Sequence, residues 1–288
     1  MSRRHSNLRF HAFNKKPEDV PAPQFPSGVL GNLTVANGET VYISDNADKD
    51  WNNVTVDLGG TLIFLNSGWS RVGVNGNLVI EGTVRVLNSA SGFFGYFSSN
   101  LINDDGSNGG VIDYTTVTTY GGSGGTGGTS GPTNGGDGTL PYFTVEGQAG
   151  ANGDGAGGGT GGTGGGSVRS GGGIYFKIRG NFSGGGDIIT SGEDGTAGGA
   201  GANGFLGDEF TSGGGGGAGG GGGGGAGAPI VIYLKGADTF TGAYSWSGGA
   251  GGTSASGGTG DGTFYGNGGN SAVGGAGSSG PDRVNLTW

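Results

Sequence analysis

The chain has 288 residues, of which 80 are glycine and none is cysteine, and its net charge is −9. This glycine content, without a collagen triplet or a proline-rich period, is typical of low-complexity disorder, but a hydrophobic fraction of 31%, with 14 phenylalanines, 9 tyrosines and 4 tryptophans, argues against disorder along the whole chain. The absence of cysteine excludes a disulfide framework and a thiolate metal site, and no apolar run is long enough to span a membrane as a helix.

Residues 1–27 are predicted to form an extended docking arm. Five of the 13 basic residues and none of the 22 acidic residues lie within residues 1–16, so this stretch carries +5 and the remainder −14. Four prolines disfavour a helix and favour a stiff, extended chain. A basic arm on an acidic body is typical of a segment that docks onto a partner, and a solubilising tail is the alternative. The residues expected to dock are Arg3, Arg4, Arg9, Phe10 and Phe13.

The charge distribution also bears on location and partners. The arm is polar and basic without an apolar core, so it lacks the pattern of a secretory signal, and we expect assembly in a cytoplasm. The acidic body disfavours nucleic-acid binding by the main domain.

From Gly31 onward the chain repeats a strand pattern. Asn32–Val35 recurs as Asn53–Val56 and, more loosely, as residues 77–80, at spacings of 21 and 24 residues. Strand–turn–strand units of near-constant period, with glycine at the corners, are typical of a β-solenoid, whose coils stack because none can bury its inward face alone. A β-sandwich of hairpins is the alternative, and the preserved residue types at matching places favour the solenoid. A second predicted strand follows each copy, at residues 40–43, 61–65 and 83–87.

We therefore predict an all-β chain in which residues 28–120 form solenoid-like repeats. The end of this range is less regular. Phe93, Phe94, Tyr96 and Phe97 form an aromatic cluster on a predicted loop, for which core or trimer contact is the favoured role and ligand contact the alternative.

The strand pattern resumes in the C-terminal half. Residues 174–178 and 230–234 are predicted strands, and residues 176–180 and 232–236 align 56 residues apart. Residues 180–183 repeat the Gly-Asn opening of residues 76–78. We expect the same coil to continue, with long glycine insertions that leave from one corner and stack beside one another, and a final strand that returns to the body. The further predicted strands are 187–190, 243–246 and 283–288, and the insertions are about 121–166, 192–228 and 248–280.

The glycine-rich stretch 192–228 admits two interpretations. It is either a flexible linker or a set of packed polyglycine-II (PGII) helices, in which a three-residue turn places every third residue at a crowded contact. The bulky residues of 205–210 favour packing, because a turn between packed helices displays such side chains, whereas large apolar residues are not typical of a solvated linker. We therefore predict a PGII sandwich with interspersed strands over residues 121–288. Packing also predicts that alanine destabilises the protein at some of these glycines, recurring every three residues, and is tolerated at the others. The glycines to be tested are Gly215, Gly217, Gly220, Gly222 and Gly224.

The sequence offers no residue set for catalysis, and we predict a protein that is not an enzyme and has no cofactor. Its two histidines, His5 and His11, lie in the arm, which excludes a histidine-assisted nucleophile in the body. Adjacent acids in glycine-rich turns are typical of solvated carboxylates rather than of a glycosidase pair. Asp137, Asp154 and Asp261 lie between glycines, but the tandem nonapeptide of calcium-binding β-rolls is missing, so no metal is assigned.

Three bulky segments interrupt the glycine-rich stretches and are the candidate receptor-binding surface. Aromatic side chains on short turns build a binding surface at low entropic cost. The alternative is that they fold back over the edges of the layers. The candidate residues are Tyr142, Phe143, Phe205, Leu206, Asp208, Glu209, Phe210, Phe264 and Tyr265.

A solenoid-like body followed by glycine-rich stretches and short aromatic segments resembles the tail-fibre tip adhesins of T-even-like bacteriophages, over roughly residues 121–280. The resemblance implies stacked PGII helices whose variable connecting segments contact outer-membrane proteins of the host. It therefore implies a virion protein that joins other virion proteins through the arm and binds a host receptor, either an outer-membrane protein or a glycan. We also expect a homotrimer, because glycine layers bury little apolar surface.

The N-terminal half departs from that family. The 21- to 22-residue repeat stands in place of a tryptophan-rich attachment domain, which leaves tail fibre, tail spike, baseplate and capsid fibre open as locations. Two other functions stay open. One is a purely architectural virion protein. The other is an ice-binding protein, since PGII bundles and flat threonine-bearing solenoid faces both occur in antifreeze proteins, although a regular Thr-Xaa-Thr ladder is absent here.

Overall fold

The structure is a computed structural model. Over the residues that it describes, the chain is all-β, with strands and extended segments and no helix. The described residues are 26–44, 49–66, 69–91, 96–102, 108–115, 134–135, 148–155, 158–166, 168–205, 213–260, 265–274, 276, 279 and 284–287.

Short strands follow one another through this part of the chain. The first ten are β1 (Asn32–Val35), β2 (Thr40–Ile43), β3 (Lys49–Trp51), β4 (Asn53–Val56), β5 (Thr61–Asn66), β6 (Trp69–Val74), β7 (Leu78–Ile80), β8 (Thr83–Ser91), β9 (Tyr96–Ile102) and β10 (Asn108–Thr115). The remaining strands are β11 (Arg169–Gly171), β12 (Gly173–Ile178), β13 (Phe182–Gly184), β14 (Asp187–Ile189), β15 (Ile230–Leu234), β16 (Asp238–Phe240), β17 (Ala243–Ser245) and β18 (Val284–Thr287).

Three sheets of parallel strands organise the molecule. The first has the order β1-β4-β7-β13-β16, the second β2-β5-β8-β14-β17 and the third β3-β6-β12-β15-β18. The chain thus visits the first, second and third sheets in the same cyclic order, and we call one such round a pass. Outside the passes, β11 pairs antiparallel with β8, and β9 pairs antiparallel with β10.

The residue spacings of the sequence are the pairing registers of the sheets. Asn32 lies opposite Asn53 in the first sheet, and Thr61 lies opposite both Thr40 and Thr83 in the second. The 56-residue alignment is the register between β12 and β15 in the third sheet. Because β12, β13 and β14 pair in parallel with β6, β7 and β8, the prediction that the C-terminal strands join the N-terminal stack is confirmed.

Two details of the strand prediction are wrong. Each repeat was expected to hold two strands, but β3 and β6 add a third to the first two passes. The Lys-Asp-Trp sequence of β3 has no apolar alternation, and pairing with β6 determines its conformation. Tyr96 and Phe97 lie in β9 rather than in a loop, while Phe93 and Phe94 lie outside the described residues. The β9 sequence lacks a period of two, so pattern alone does not identify it.

The sheets bury one apolar core. Inward side chains align from pass to pass, as with Val54, Leu78 and Phe182 in the first sheet, which are at most 1% exposed. Burial of each side chain of this size stabilises the fold by about 1.5–3 kcal/mol relative to exposure. Aromatic rings extend this row of aligned side chains. Phe182 stacks on Phe240 with ring centroids 4.5 Å apart, and Tyr244 contacts Phe240 edge-on with centroids 5.1 Å apart.

Asparagine and glycine form ladders at the corner that precedes the first sheet. The side-chain oxygen of Asn53 accepts the backbone N–H of Asn77 at 2.8 Å, that of Asn77 accepts Asn181 at 2.9 Å, and that of Asn181 accepts Ala237 at 3.0 Å. A Cβ at Gly180 would overlap a backbone carbonyl of the preceding pass. These contacts explain why the Gly-Asn pair recurs in the sequence.

Three long connections leave the sheets at one corner. Residues 92–172 join β8 to β12, residues 190–229 join β14 to β15, and residues 246–283 join β17 to β18, each between the second and third sheets. The first two passes make the same step with the short connections 44–48 and 67–68. The prediction that the insertions leave from one corner is confirmed, and β18 returns to pair with β15 at the edge of the third sheet, as expected.

Candidate functional site

The described parts of the long connections are extended and rich in glycine. Hydrogen bonds between backbone N–H and C=O groups, spaced three residues apart, join them side by side. We number them segment 1 (148–155), segment 2 (158–166), segment 3 (191–205), segment 4 (213–229), segment 5 (246–260) and segment 6 (265–274).

Segment 4 lies at the centre of this assembly. Its ten consecutive residues 213–222 each donate the backbone N–H to a carbonyl oxygen outside the segment, at N···O distances of 2.8–3.2 Å. The acceptors rotate with a period of three, so that Gly216 donates to segment 3, Gly217 to segment 1 and Ala218 to segment 6, and Gly219 returns to segment 3. The direction of hydrogen-bond donation along the segment therefore repeats every three residues.

Five segments surround segment 4 and are bonded to one another. Segment 1 bonds to segment 2, segment 2 to segment 3, segment 3 to segment 5 and segment 5 to segment 6, at N···O distances of 2.7–3.3 Å. Segments 2 and 5 also donate N–H groups to carbonyl oxygens of segment 4. Buried backbone groups require such partners, and here other glycine-rich segments supply them in place of a sheet.

Close packing explains the glycines of segment 4. All of residues 213–229 are buried, and a Cβ at Gly215, Gly222 or Gly224 would overlap a backbone carbonyl of a neighbouring segment. These three glycines occupy two different phases of the three-residue repeat, so crowding in this segment is not confined to one residue in three. The predicted periodic effect of alanine on stability stays a prediction. Neighbours on several sides crowd more than one phase. Fully buried alanines mark places with room for a methyl group, at Ala218, Ala226 and Ala228.

Segment 3 has a glycine at every third position where it packs against segment 4. A Cβ at each inward position would overlap a carbonyl of segment 4, and a Cβ at Gly199 would lie 2.8 Å from Thr163 Oγ1 of segment 2. The inward positions are Gly192, Gly195, Gly198, Gly201 and Gly204.

Asparagine and acidic side chains tie the outer segments together. Asn203 Oδ1 accepts the backbone N–H of Thr259 at 2.9 Å, and Asp194 Oδ1 accepts that of Ala250 at 2.7 Å, which links segments 3 and 5 near both ends. Glu193 accepts the backbone N–H of Arg169 at 3.0 Å. Asp194 thus holds segments 3 and 5 together, and Glu193 holds segment 3 to β11.

The segments meet at an end remote from the strands, which we call the tip. Segments 3 and 5 reach it at Phe205 and Gly260, and segments 4 and 6 begin there at Gly213 and Tyr265. The backbone N–H of Gly213 donates to the carbonyl of Phe205 at 3.2 Å. Two predicted receptor-binding residues are described at this end, namely Phe205, which is 62% exposed, and Tyr265, which is half-buried.

The other predicted site residues lie outside the described residues, so their predicted roles stay predictions. They are the receptor-binding candidates Tyr142, Phe143, Leu206, Asp208, Glu209, Phe210 and Phe264, and the docking candidates Arg3, Arg4, Arg9, Phe10 and Phe13.

A polar cleft of about 460 Å³ opens beside the tip, between Asn134–Gly135 and segments 5 and 6. The sequence analysis did not find it, because its walls are backbone and asparagine from stretches far apart in the chain. The signal available was the recurrence of Asn-Gly within the glycine-rich stretches. The lining residues are Asn134, Gly135, Gly257, Gly258, Thr259, Asn267, Gly268, Gly269 and Asn270.

The described residues contain no group of three or more His, Cys, Asp or Glu able to hold a metal ion. Within the same ranges, no helix is long and apolar enough to cross a membrane. No family model matches the chain, and no curated protein sequence or solved structure matches it either.

Proposed function

We propose that the three sheets form a three-sided β-solenoid and that segments 1–6 form a PGII sandwich built on one of its corners. The repeated cyclic order of the sheets supports the solenoid. The three-residue rotation of hydrogen-bond acceptors around segment 4 supports PGII, which has three residues per turn and no internal hydrogen bonds.

On this scaffold we propose a non-enzymatic bacteriophage fibre or spike protein whose tip binds a receptor on the host cell surface. The observation that carries the proposal is the common end of the glycine segments, where two of the bulky connecting stretches leave segments 3 and 5. Phe205 and Tyr265 stand at the ends of densely hydrogen-bonded segments, so a receptor that contacts them meets a backbone that is already held in place.

Adhesion to bacterial cells tests this proposal. Fluorescently labelled protein is incubated with intact cells from a panel of Gram-negative species, and bound protein is measured by flow cytometry. We expect saturable binding to a subset of species, and lower binding by the variant Phe205→Ala, whose exposed ring is at the tip. Absence of saturable binding to any species would leave the architectural virion protein as the better proposal.

Attachment to the virion is proposed to run through the N-terminal arm. Ser27 is anchored to β3, because its backbone N–H and hydroxyl both donate to the Asp50 carboxylate, at 2.8 and 2.6 Å. Deletion of residues 1–25 keeps this anchor, so we expect a folded protein that no longer joins virions. Immunogold labelling of virions with antibody to the protein measures incorporation.

The oligomeric state is a separate proposal. Light scattering tests the proposed homotrimer against a chain mass of 27.8 kDa.

An ice-binding function is the second candidate, and one surface favours it. Segment 5 exposes a small uncharged residue at every third position, about 9 Å apart at the PGII rise. The exposed Ala197 and Ala200 of segment 3 form a neighbouring row. Thermal hysteresis of a protein solution tests this function, and its absence would eliminate the candidate. The exposed residues of segment 5 are Ser247, Ala250, Thr253, Ser256 and Thr259.

A further inference from the structure

We propose that the cleft beside the tip binds a neutral saccharide unit of a cell-surface glycan. This inference rests on the proposed function, because it specifies the receptor class of an adhesin. The cleft volume of about 460 Å³ lies within the range of about 300–1,000 Å³ that is usual for small-ligand sites.

The chemistry of the walls selects a ligand rich in hydroxyl groups. The side chains that line the cleft are three asparagines and one threonine, and the other lining residues are glycines. Glycine leaves the backbone open to close approach. Such walls bury an apolar ligand poorly, because polar groups desolvated without partners cost free energy. A saccharide both donates and accepts hydrogen bonds through its hydroxyls, so it satisfies these groups.

Hydrogen bonds within the protein fix the asparagine side chains before a ligand arrives. Asn134 Oδ1 accepts the backbone N–H of Asn267 at 3.0 Å, and Asn267 Oδ1 accepts that of Gly260 at 2.9 Å. Asn270 Oδ1 accepts the backbone N–H of Gly257 at 3.2 Å. Because the oxygens are engaged in this way, the carboxamide NH₂ groups of Asn134 and Asn267 serve as donors to a ligand. Preorganised donors lose little side-chain entropy on binding.

The absence of charged lining residues restricts the class of ligand further. None of the lining residues is acidic or basic, and the protein carries a net charge of −9. A site without cations on a negatively charged protein disfavours phosphate, sulfate and carboxylate ligands. The geometry therefore points to a neutral hexose or N-acetylhexosamine rather than to an anionic sugar.

Matched asparagine variants of the full chain test the inference. Asn134→Asp and Asn267→Asp keep the Oδ1 acceptor that holds the backbone but replace the NH₂ donor with a carboxylate oxygen. Asn152→Asp makes the same change where Oδ1 accepts the backbone N–H of Gly161, away from the residues that line the cleft. Saccharide binding is measured by saturation-transfer NMR and titration with D-glucose, D-galactose, N-acetyl-D-glucosamine, maltose and lactose, and on an array of bacterial polysaccharides.

We expect the wild type and Asn152→Asp to bind the same saccharides with equal dissociation constants. Binding by Asn134→Asp and Asn267→Asp is expected to be at least fivefold weaker, at melting temperatures equal to that of Asn152→Asp. Binding of no saccharide by the wild type, or equal binding by all variants, would overturn the inference.

Adhesion to cells separates this failure from failure of the proposed function. If the wild type, Asn134→Asp and Asn267→Asp adhere equally to cells and no saccharide binds, the adhesin proposal stands and a protein receptor replaces the glycan. If the wild type binds saccharide through these asparagines but adheres to no cell in the panel, the cleft is a saccharide site and the adhesin proposal falls.

Discussion

Glycine has a steric role in most of the layered segments. The contact that excludes a side chain is with a neighbouring backbone, as at Gly198, where a Cβ would overlap the carbonyl oxygen of Gly219. A positive φ is not needed there, because the six glycines with positive φ among the described residues include only Gly155 from these segments. A Cβ at such a contact must move backbone rather than the end of a flexible side chain.

Alanine substitutions at two adjacent glycines of segment 2 distinguish this steric role from an effect on chain flexibility. A Cβ at Gly165 would overlap the carbonyl oxygen of Thr196, whereas the nearest atom to a Cβ at Gly166 is Thr196 Oγ1 at 3.7 Å. We expect Gly165→Ala to lower the free energy of unfolding by about 1–3 kcal/mol, as overpacking does. Gly166→Ala is expected to be neutral or to stabilise the protein by about 0.4–1 kcal/mol, because alanine lowers the conformational entropy of the unfolded chain. Thermal midpoints measure both, and equal midpoints would contradict a packed layer.

Strand pairing shows how far the sequence determines the elements. Asn32–Val35 and Asn53–Val56 were predicted with their observed bounds, because alternating apolar residues and a constant period identify them and their register together. Lys49–Trp51 was missed, because three residues with two charges carry no periodic signal and acquire strand geometry only by pairing with β6. The glycine at every third position of segment 3 is visible in the sequence, whereas the crowding of segment 4 depends on how many segments surround it.

The candidate site was less predictable than the sheets. Aromatic residues within glycine-rich stretches indicated the tip, and Phe205 is exposed there. The cleft remained hidden because it forms where Asn134, Thr259 and Asn267 come together, and Asn134 and Asn267 are 133 residues apart in the chain. No local pattern encodes a contact of that separation, and the asparagines are recognisable only once the segments are in register.

The core of the stacked strands makes a matched set of charge substitutions informative. Leu62 and Val84 lie opposite each other in the second sheet and are each 1% exposed, whereas Tyr42 in the same sheet is 61% exposed. We expect Leu62→Asp and Val84→Asp to abolish soluble expression, because each buries an unpaired carboxylate. Tyr42→Asp is the control and is expected to express normally. Soluble yield and β-type circular dichroism are the measurements, and normal values for the two core variants would contradict the stacked-strand core.

At the scale of the whole molecule, two kinds of packing meet at the corner between the second and third sheets. The sheets bury apolar side chains, and the glycine segments bury backbone, with segment 4 enclosed although it carries no side chain larger than a methyl group between residues 213 and 228. Each long connection starts from the second sheet and ends in the third, so the strands bring the segments side by side. The stacked strands thereby supply the loop closure that glycine-rich chains would otherwise have to make at an entropic cost.

Amide hydrogen exchange tests whether this enclosed backbone is ordered throughout. Residues 213–222 lie in no strand or helix, yet each donates its N–H to a carbonyl oxygen of another segment and each is buried. Because exchange requires the hydrogen bond to open, we expect the glycine amides among them, observed by NMR after ¹⁵N-glycine labelling, to exchange as slowly as that of buried Gly186, whose N–H donates to the Ile80 carbonyl of β7 at 2.9 Å. A flexible linker has the same composition but exposed amides, and it would exchange at the rate of an unstructured peptide. Gly166→Ala should leave this protection unchanged. Gly165→Ala should reduce it first at Gly222, because the Gly222 N–H donates to the Thr196 carbonyl that the added Cβ would overlap. Fast exchange across residues 213–222 in the wild type would contradict the layered arrangement and remove the rigid base from the proposed tip.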